Sequence, residues 1–388
     1  MKKMKKQIAL ILAMTMAFSV TGCGSGSTDT TSAPAVSTEA ATETKKEQNQ
    51  ETGTTTAAVA SPSEAVPAGS RIGSYDVSSL DDVKLTIASS GSSSNAVYGV
   101  QVAAADAIHE ATDGKLTIDC VWDGTLGSDS ELIENCIAGS IPMISLSSSP
   151  LVPYIPEVGV FDCPAVYSDS ASAYAGIEQF EADFGPIMEA AGLKLLALGF
   201  LQFRGLSSNV EVKTPEDFSQ IKIRVMENPY HIAFWTNLGA QPTPLAFSEL
   251  YTSLQQGLVN SQDNPFTTLF SSKFIEVQDC WMPLTAFPFV SFRLMNLEQF
   301  NALDPEMQQA VVDFAHEDLE QEYWVQIEDD QRMYDQVAAD GSLTVLEQTD
   351  EIYQATIDAA KPVWNQIADE IGADIVDAYL ATAGKTRS

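Results

Sequence analysis

Arginine is rare in this sequence, and one arginine lies inside an apolar segment. Beyond residue 82 there are five arginines, and Arg224 stands between Ile223 and Val225 in a run that alternates like a β-strand. Successive side chains of a strand point to opposite faces, so Arg224 faces away from the core that its neighbours enter. A planar guanidinium binds a carboxylate through two parallel hydrogen bonds, which a lysine cannot match. The residues alone leave two interpretations equally open: a carboxylate-binding arginine, or an arginine paired with one of the many acids.

Asn264 and Phe247 are two uncharged candidates for contact with a bound molecule. Asn264 precedes Pro265, which favours an extended backbone at Asn264, and its amide donates to a ligand oxygen without adding charge. The alternative is an asparagine that caps a turn, which is common before proline. Phe247 offers an apolar face to a ligand, although an aromatic residue in a loop belongs to the core as often.

The sequence contains none of the motifs that commonly mark an active site or a metal site. It has no GxxxxGK[ST], GxSxG or HExxH segment and no GxGxxG after a strand. Acid pairs are numerous, and we expect them mostly on solvated faces. The cysteines beyond Cys23 form no CxxC pair, and the three histidines are scattered. We therefore predict no enzyme, no catalytic residue, no metal and no cofactor, and interpret four cysteines as buried thiols: Cys120, Cys136, Cys163 and Cys280.

The net charge bears on which partners this protein binds. The sequence has 53 acidic and 20 basic residues, a formal charge of −33. Four lysines lie in the first six residues and no acid lies in the first 22, so removal of that segment leaves a charge of about −37. Such a surface repels phosphate backbones, and we predict no nucleic-acid partner. Any captured anion must be held by local cations against an unfavourable overall field.

The N-terminus has the layout of an exported bacterial lipoprotein. The four lysines precede an apolar run from Ile8 to Val20, which is too short to span a bilayer but suits a signal peptide. The run ends in Val-Thr-Gly-Cys23, which resembles the lipobox, whose cysteine is lipidated and becomes the first residue of the mature protein. An ordinary signal peptide with a chance cysteine is the alternative.

The residues that follow Cys23 are Ser, Thr, Ala, Glu and Gln, with almost no large apolar side chain up to about Gly69. Such a segment cannot bury a core, so we expect a flexible tether with a reach of roughly 40 Å. We therefore predict a signal peptide at 1–22, a lipidated, disordered tether at 23–79, and an extracytoplasmic protein that is lipid-anchored to the cell membrane.

Hydrophobic periodicity in the rest of the chain alternates strands with helices. The patterns predict strands at 83–87, 116–122, 143–146, 195–200 and 221–225, and helices at 97–111, 129–139, 228–239 and 248–257, with another beginning at Thr214. The βαβα order predicts an α/β protein with largely parallel sheets. A periodic segment from Asp304 to Gly341 spans roughly 55 Å if it is one helix, so it predicts either a kink or a helix that braces two domains.

Several segments occur together in the order and spacing of a known family. They are Leu126-Gly-Ser-Asp129, Pro156-Glu-Val-Gly-Val-Phe-Asp-Cys-Pro164, Lys213-Thr-Pro-Glu-Asp-Phe218, Leu238-Gly-Ala-Gln-Pro-Thr-Pro-Leu-Ala-Phe-Ser-Glu-Leu-Tyr251, Gln262-Asp-Asn-Pro265 and Lys273-Phe-Ile-Glu-Val-Gln278. From about Val83 to the C-terminus the chain resembles the solute-binding proteins of TRAP (tripartite ATP-independent) transporters, the DctP-like family.

The resemblance implies a two-lobed α/β fold of the type II periplasmic-binding-protein class, with a long helix bridging both lobes. It implies lobe I at 80–201 plus 291–329 and lobe II at 202–290 plus 330–388. The implied function is capture of a small carboxylate-bearing solute in the cleft and its delivery to the small and large membrane subunits of the transporter. The alternatives are a binding lipoprotein of another transporter type and an extracellular hydrolase.

The resemblance also implies which residues bind the solute. Arg224 matches the arginine that forms the main salt bridge to the solute carboxylate, and Arg204 matches a second arginine of the cleft. The contacts to the rest of the solute are implied for Asn264, Phe247, Asp129, Ser89 and Ser147. The sequence departs from the family pattern at Gln202, before Arg204, and at Asp263, where a glutamate is more usual.

Overall fold

The computed structural model describes residues 71–387, in which nine strands and eleven α-helices follow one another. The strands are β1 (Val83–Ala88), β2 (Leu116–Val121), β3 (Met143–Ser147), β4 (Leu193–Ser208), β5 (Lys222–Val225), β6 (Gln241–Pro244), β7 (Ser261–Asn264), β8 (Cys280–Asn296) and β9 (Thr344–Val345). The helices are α1 (Ala96–Ala111), α2 (Asp129–Ile137), α3 (Ser170–Glu178), α4 (Glu181–Ala190), α5 (Pro229–Asn237), α6 (Leu250–Gln255), α7 (Phe266–Ser271), α8 (Leu297–Asn301), α9 (Pro305–Asp340), α10 (Asp350–Ile371) and α11 (Ala373–Thr382). Short 3-10 helices lie at Ser149–Leu151, Pro156–Asp162, Pro215–Gln220, Phe247–Glu249 and Phe274–Glu276.

The nine strands form one sheet in the order β2-β1-β3-β8-β4-β7-β5-β6, and β9 pairs with β8. On one side β1 pairs in parallel with β2 and β3, and on the other β5 pairs in parallel with β6 and β7. The centre is antiparallel, through the pairs β3–β8, β8–β4 and β4–β7. The prediction of largely parallel sheets is therefore correct on both sides and wrong at the centre. Two parallel groups joined by two long strands give the two-lobed α/β architecture that the resemblance implied.

Most predicted elements are present, with corrections at two of the helices. The segment that begins at Thr214 forms a 3-10 helix at Pro215–Gln220, and the helix predicted at 248–257 is divided into a 3-10 turn and α6. Gly257, which was expected to end that helix, has φ +70°, a left-handed conformation that favours glycine.

The long periodic segment forms a single helix, α9, of 36 residues. Pro305 occupies its first turn, where a missing N–H costs nothing, and Gly341 ends it with φ +66°. The first half of α9 packs in the main core through residues such as Met307 and Phe314, and Val337 near its end packs in a second, smaller core. The helix therefore packs in two apolar clusters; that it bridges two lobes stays a prediction.

The core contains several residues that the sequence had interpreted as packing. Trp235 is buried, and so are the thiols of Cys136, Cys163 and Cys280, while Cys120 is half-buried. All four cysteines are free thiols, as interpreted. The core also includes Val77, which lies within the segment predicted as tether. Cys23 and the predicted signal peptide lie outside the described residues.

The described residues contain neither a membrane-spanning helix nor a cluster of metal-binding side chains. No helix between residues 71 and 387 is long and apolar enough to cross a membrane. Within the same range, no group of three His, Cys, Asp or Glu side chains is placed to hold a metal ion.

Candidate functional site

A cavity opens where the carboxyl ends of the parallel strands on both sides of the sheet converge. It contains about 820 Å³ of empty space, including solvent at its open side, which suits a small molecule. Ligands of open α/β sheets bind at this edge because the strand ends and the loops after them leave a crevice there. The structure places all seven predicted solute-binding side chains on its wall: Ser89, Asp129, Ser147, Arg204, Arg224, Phe247 and Asn264.

Arg224 is buried in the cavity wall. Its Nε donates to the carbonyl oxygen of Leu245 at 2.9 Å, which fixes the plane of the guanidinium, and its Cζ lies 5.9 Å from the ring centre of Phe247. No carboxylate among residues 71–387 forms an ion pair with Arg224. Burial, followed by the neighbouring charge of Arg204, lowers the pKa of Arg224 to about 10, so the side chain is still a cation at neutral pH. The two Nη atoms are therefore available for an anion.

Arg204 lies on the same wall but is already paired within the protein. Its Nε donates to Asp263 Oδ2 at 3.3 Å, and its Nη2 donates to the Asp263 carbonyl oxygen. Both side chains are 2–3% exposed, and the guanidinium also lies 5.7 Å from the ring centre of Phe289. A buried cation that is neutralised by a neighbouring acid attracts a further anion less strongly than an unpaired one. Arg204 therefore contributes less positive charge to the cavity than Arg224.

Asn264 ends β7 and is held by a hydrogen-bonded chain of side chains. Its Nδ2 donates to Gln262 Oε1 at 2.5 Å, and Gln262 in turn donates to Ser207 at 2.6 Å. The predicted amide donor is thus partly used inside the protein, which leaves one N–H and the Oδ1 acceptor for a bound molecule. The extended backbone expected before Pro265 is present, because Asn264 is paired in the sheet with Gly205.

The opposite wall is formed by residues of the first half of the chain. Asp129 is the first residue of α2, a helix capped by Ser128 and Glu131 in a reciprocal capping box. Ser90 donates to Asp129 Oδ1 at 2.6 Å; burial raises the pKa of Asp129, while Ser90 and Arg224 oppose the shift.

Hydroxyl groups form much of the remaining lining on this side. Ser89 follows β1 and its Oγ accepts a hydrogen bond from the Gly91 N–H, while Ser147 ends β3 and contacts the Met226 sulfur at 3.9 Å. Hydroxyls both donate and accept, so this wall suits a solute with several oxygen atoms.

A buried charge cluster that none of the sequence motifs predicted lies beside the cavity. Arg293 on β8 contacts Asp318 and Glu322 on α9, and Glu322 reaches the cavity wall. We expected acid pairs on solvated faces, but these two acids are buried. Asp318 and Glu322 are four residues apart, so they lie on one side of α9 near the apolar residues Phe314 and Leu319. Two acids on an otherwise apolar face were the signal in the sequence for a buried charge cluster.

The fold and the site together define a two-lobed α/β binding protein whose cavity suits a small molecule. The sequence model for "Bacterial extracellular solute-binding protein, family 7" (DctP) matches residues 87–371. This chain belongs to that family, as its motifs predicted.

Individual relatives agree with this assignment. A "Solute-binding protein" of Verminephrobacter eiseniae is 32% identical over 274 residues, which are 68% of this chain and 79% of that protein. The "2,3-diketo-L-gulonate-binding periplasmic protein YiaO" of Escherichia coli is 31% identical over 70% of this chain and 81% of its own. The crystal structure of a TRAP periplasmic solute-binding protein from Polaromonas bound to D-erythronate matches with a TM-score of 0.70 at 25% identity, covering 77% of this chain and 99% of that one. These relatives are transport proteins and not enzymes.

Proposed function

We propose that this protein captures a small organic acid outside the cytoplasm by a salt bridge between the solute carboxylate and Arg224, and delivers the solute to the small and large membrane subunits of a TRAP transporter. The carboxylate binds the two Nη atoms of Arg224, with Arg204 as a second, weaker cation. Asn264 and the hydroxyl-lined wall bind the other oxygens, and Phe247 covers the apolar part of the solute.

The observation that carries this proposal is the unpaired state of Arg224. A buried guanidinium without a counter-ion is unfavourable, since burial removes its hydration and, among residues 71–387, a hydrogen bond to the Leu245 carbonyl oxygen replaces only part of it. A bound carboxylate supplies the missing charge and two parallel hydrogen bonds. The strongly negative net charge does not prevent this pairing, because a desolvated contact acts at short range while the overall field is screened within about 8 Å at physiological salt.

The proposed solute is oxygen-rich beyond its carboxylate. The names of two relatives refer to 2,3-diketo-L-gulonate and D-erythronate, both acids with one carboxylate and several other oxygens. Ser89 and Ser147 also line the cavity, and their hydroxyls can bind the other oxygens of such a molecule. A dicarboxylate places its second carboxylate near Asp129 on this wall, so that binding depends on the protonation of Asp129.

Solute capture is proposed to involve closure of two lobes, at 80–201 plus 291–329 and at 202–290 plus 330–388. Arg224, Arg204 and Asn264 belong to the second, and Ser89, Asp129 and Ser147 to the first. A solute that contacts both sets favours the state in which the sets lie close together, which is the usual ligand response of hinged binding proteins.

The proposal is tested by thermal unfolding of the purified protein with D-erythronate, 2,3-diketo-L-gulonate, succinate and neutral sugars. At a ligand concentration 100 times its Kd, we expect one acid or more to stabilise the protein by roughly 2.7 kcal/mol, at a stoichiometry of one, with no product formed. Stabilisation by neutral sugars alone contradicts the proposal, and turnover of the solute supports a hydrolase instead.

Membrane attachment is proposed to depend on Cys23, with the tether between the anchor and the binding domain. Cys23→Ser should release or mislocalise the protein while the Kd for the solute stays unchanged, because the cavity lies within residues 71–387. A single acyl chain binds membranes only marginally, so mass spectrometry should detect at least two acyl chains on the mature protein. An unmodified mature N-terminus at another residue contradicts the anchor.

A further inference from the structure

The buried charge cluster beside the cavity has one cation and two acids. The Arg293 Nε donates to Asp318 Oδ2 at 2.6 Å, and the Arg293 Nη2 lies 2.7 Å from Glu322 Oε1. All three side chains are 0–3% exposed. Gln101 donates to the same Asp318 oxygen at 3.0 Å, and Arg293 Nη1 donates to Ser291 at 2.7 Å. If both acids were ionised, the cluster would have a net negative charge at a buried position.

One of the two acids is better placed to retain a proton. Asp318 accepts aligned hydrogen bonds from Arg293 and Gln101, which stabilise its ionised form. Glu322 Oε1 lies 2.7 Å from Arg293 Nη2 but has no second donor of the kind that Gln101 provides to Asp318. Burial raises the pKa of Glu322 to about 8; Arg293 opposes the shift and Asp318 adds to it. Glu322 is therefore the acid of the cluster that is better placed to carry a proton at neutral pH.

Glu322 is also the acid of this cluster that lines the cavity. We propose that Glu322 is a specificity-determining residue, whose neutral carboxyl group donates a hydrogen bond to an acceptor oxygen of the captured acid. This inference rests on the proposed function and deepens it. A neutral carboxyl group binds hydroxyl, carbonyl or carboxylate oxygens, whereas its ionised form repels an anion in the same cavity. The site thereby selects oxygen acceptors at this position over ammonium groups.

The proposal makes capture of an anion dependent on pH. Around Glu322 the charged or titratable groups are Arg293 on β8, Asp318 on the same helix, and Asp129, Arg204 and Arg224 across the cavity. The pKa of Arg224 is about 10, so Arg224 keeps its charge up to pH 9. Asp330, further along α9 and outside the cavity lining, has a pKa raised by burial to about 7 and titrates with or without Glu322. A comparison with a Glu322 variant therefore isolates the contribution of Glu322.

The experiment is calorimetric titration with D-erythronate at pH 6, 7, 8 and 9 on wild type, Glu322→Gln and Glu328→Gln. If the complex requires neutral Glu322, proton linkage weakens wild-type binding about tenfold between pH 7 and pH 9. Glutamine keeps a donor and cannot ionise, so Glu322→Gln should lose this slope and bind about tenfold more tightly than wild type at pH 9. Glu328 is exposed on the same helix, so Glu328→Gln should follow wild type.

A second measurement needs no solute. A folded-state pKa above the ordinary value of 4.5 means that stability present at low pH is lost as the pH rises towards 8. The thermal midpoint of unliganded wild type should therefore fall more between pH 5 and pH 8 than that of Glu322→Gln. Parallel midpoints overturn the neutral state of Glu322, and with it the proposal.

The outcomes separate this inference from the proposed function. Binding of D-erythronate with the same pH slope in wild type and Glu322→Gln overturns the role of Glu322 and leaves acid capture intact. Wild-type affinity that rises with pH also overturns the role of Glu322. Such a slope means that the ionised form of Glu322 favours binding, which requires a cationic group beside it. A third outcome is that the unliganded midpoints diverge but D-erythronate, 2,3-diketo-L-gulonate and succinate do not bind at any pH. This outcome overturns acid capture itself and the inference that rests on it.

Discussion

Two buried arginines, Arg293 and Arg224, have opposite surroundings in the same sheet. Arg293 lies in the antiparallel centre, with Asp318 and Glu322 on α9 as ion-pair partners. Arg224 lies at the end of a short parallel strand, where only the Leu245 carbonyl oxygen accepts from it among the described residues. Residue type and burial are the same for both arginines and do not distinguish a structural arginine from a ligand-binding one. The two arginines differ in the number of acidic side chains that the protein places beside them.

The pKa values express the same difference. Burial alone lowers the pKa of Arg293, but Asp318 and Glu322 outweigh burial and raise it above its ordinary value. For Arg224 burial prevails and lowers the pKa to about 10. A charged side chain destabilises the folded state if folding lowers the pKa of that cation. A charged side chain stabilises the folded state if an acidic partner raises the pKa. The comparison therefore predicts that removal of Arg293 harms folding and removal of Arg224 harms binding.

The largest effect is expected for Arg293→Ala. This change leaves two buried acids without a cation, and breaking a buried ion pair in this way costs about 3–5 kcal/mol of unfolding free energy. Urea unfolding at pH 7 measures the loss. A buried carboxylate that has lost its cation is less stable than its protonated form, so the stability of the variant should recover as the pH falls towards 5. A loss below about 1 kcal/mol at pH 7 would mean that the cluster is not a structural element.

The next effect is expected for Arg224→Ala, on binding rather than on stability. Loss of one partner of a buried pair costs about 2–5 kcal/mol, so the Kd for a captured acid should rise between roughly 30-fold and several thousand-fold. Arg224→Lys keeps the charge but not the paired donors, and its Kd should lie between those of wild type and the alanine variant. Titration calorimetry with D-erythronate measures all three proteins, and the unfolding free energy of Arg224→Ala should not fall.

The smallest effect is expected for Arg332→Ala, which is the control for both. Arg332 lies on α9 with its side chain 63% exposed and pairs with Asp329 one turn away. Exposed pairs of this kind contribute about 0–1 kcal/mol, so both stability and Kd should stay near wild type. If Arg224→Ala also stays near wild type, Arg224 is not the carboxylate anchor and the contrast between the two arginines has no functional meaning.

Local patterns in the sequence predicted the short elements well and the long strands poorly. β4 was expected only at 195–200, whereas it extends from Leu193 to Ser208 with register shifts near Ala197, Gln202 and Leu206. Each irregularity reverses the alternation of side chains, so a period-two pattern finds only fragments of the strand. β8 was not assigned; it contains Pro283 and Pro288, which argue against a central strand unless the sheet is irregular there.

The sequence by itself determined the family, the α/β class and seven of the side chains that line the cavity. Short motifs carry the family, and hydrophobic periodicity carries the elements. The strand ends that parallel pairing brings together include Ser89, Ser147 and Asn264. These features depend on neighbours within a few residues, or on a topology that the motifs already specify.

Only the tertiary structure decided which charges are paired. Arg204 meets Asp263 from 59 residues away, and Arg293 meets Asp318 from 25 residues away. Whether Arg224 remains unpaired and Glu322 keeps its proton depends on which of 53 acids packs beside which cation, and on how much water is excluded there. Charge pairing is decided over a few ångströms between segments that are distant in the chain, so no local pattern encodes it.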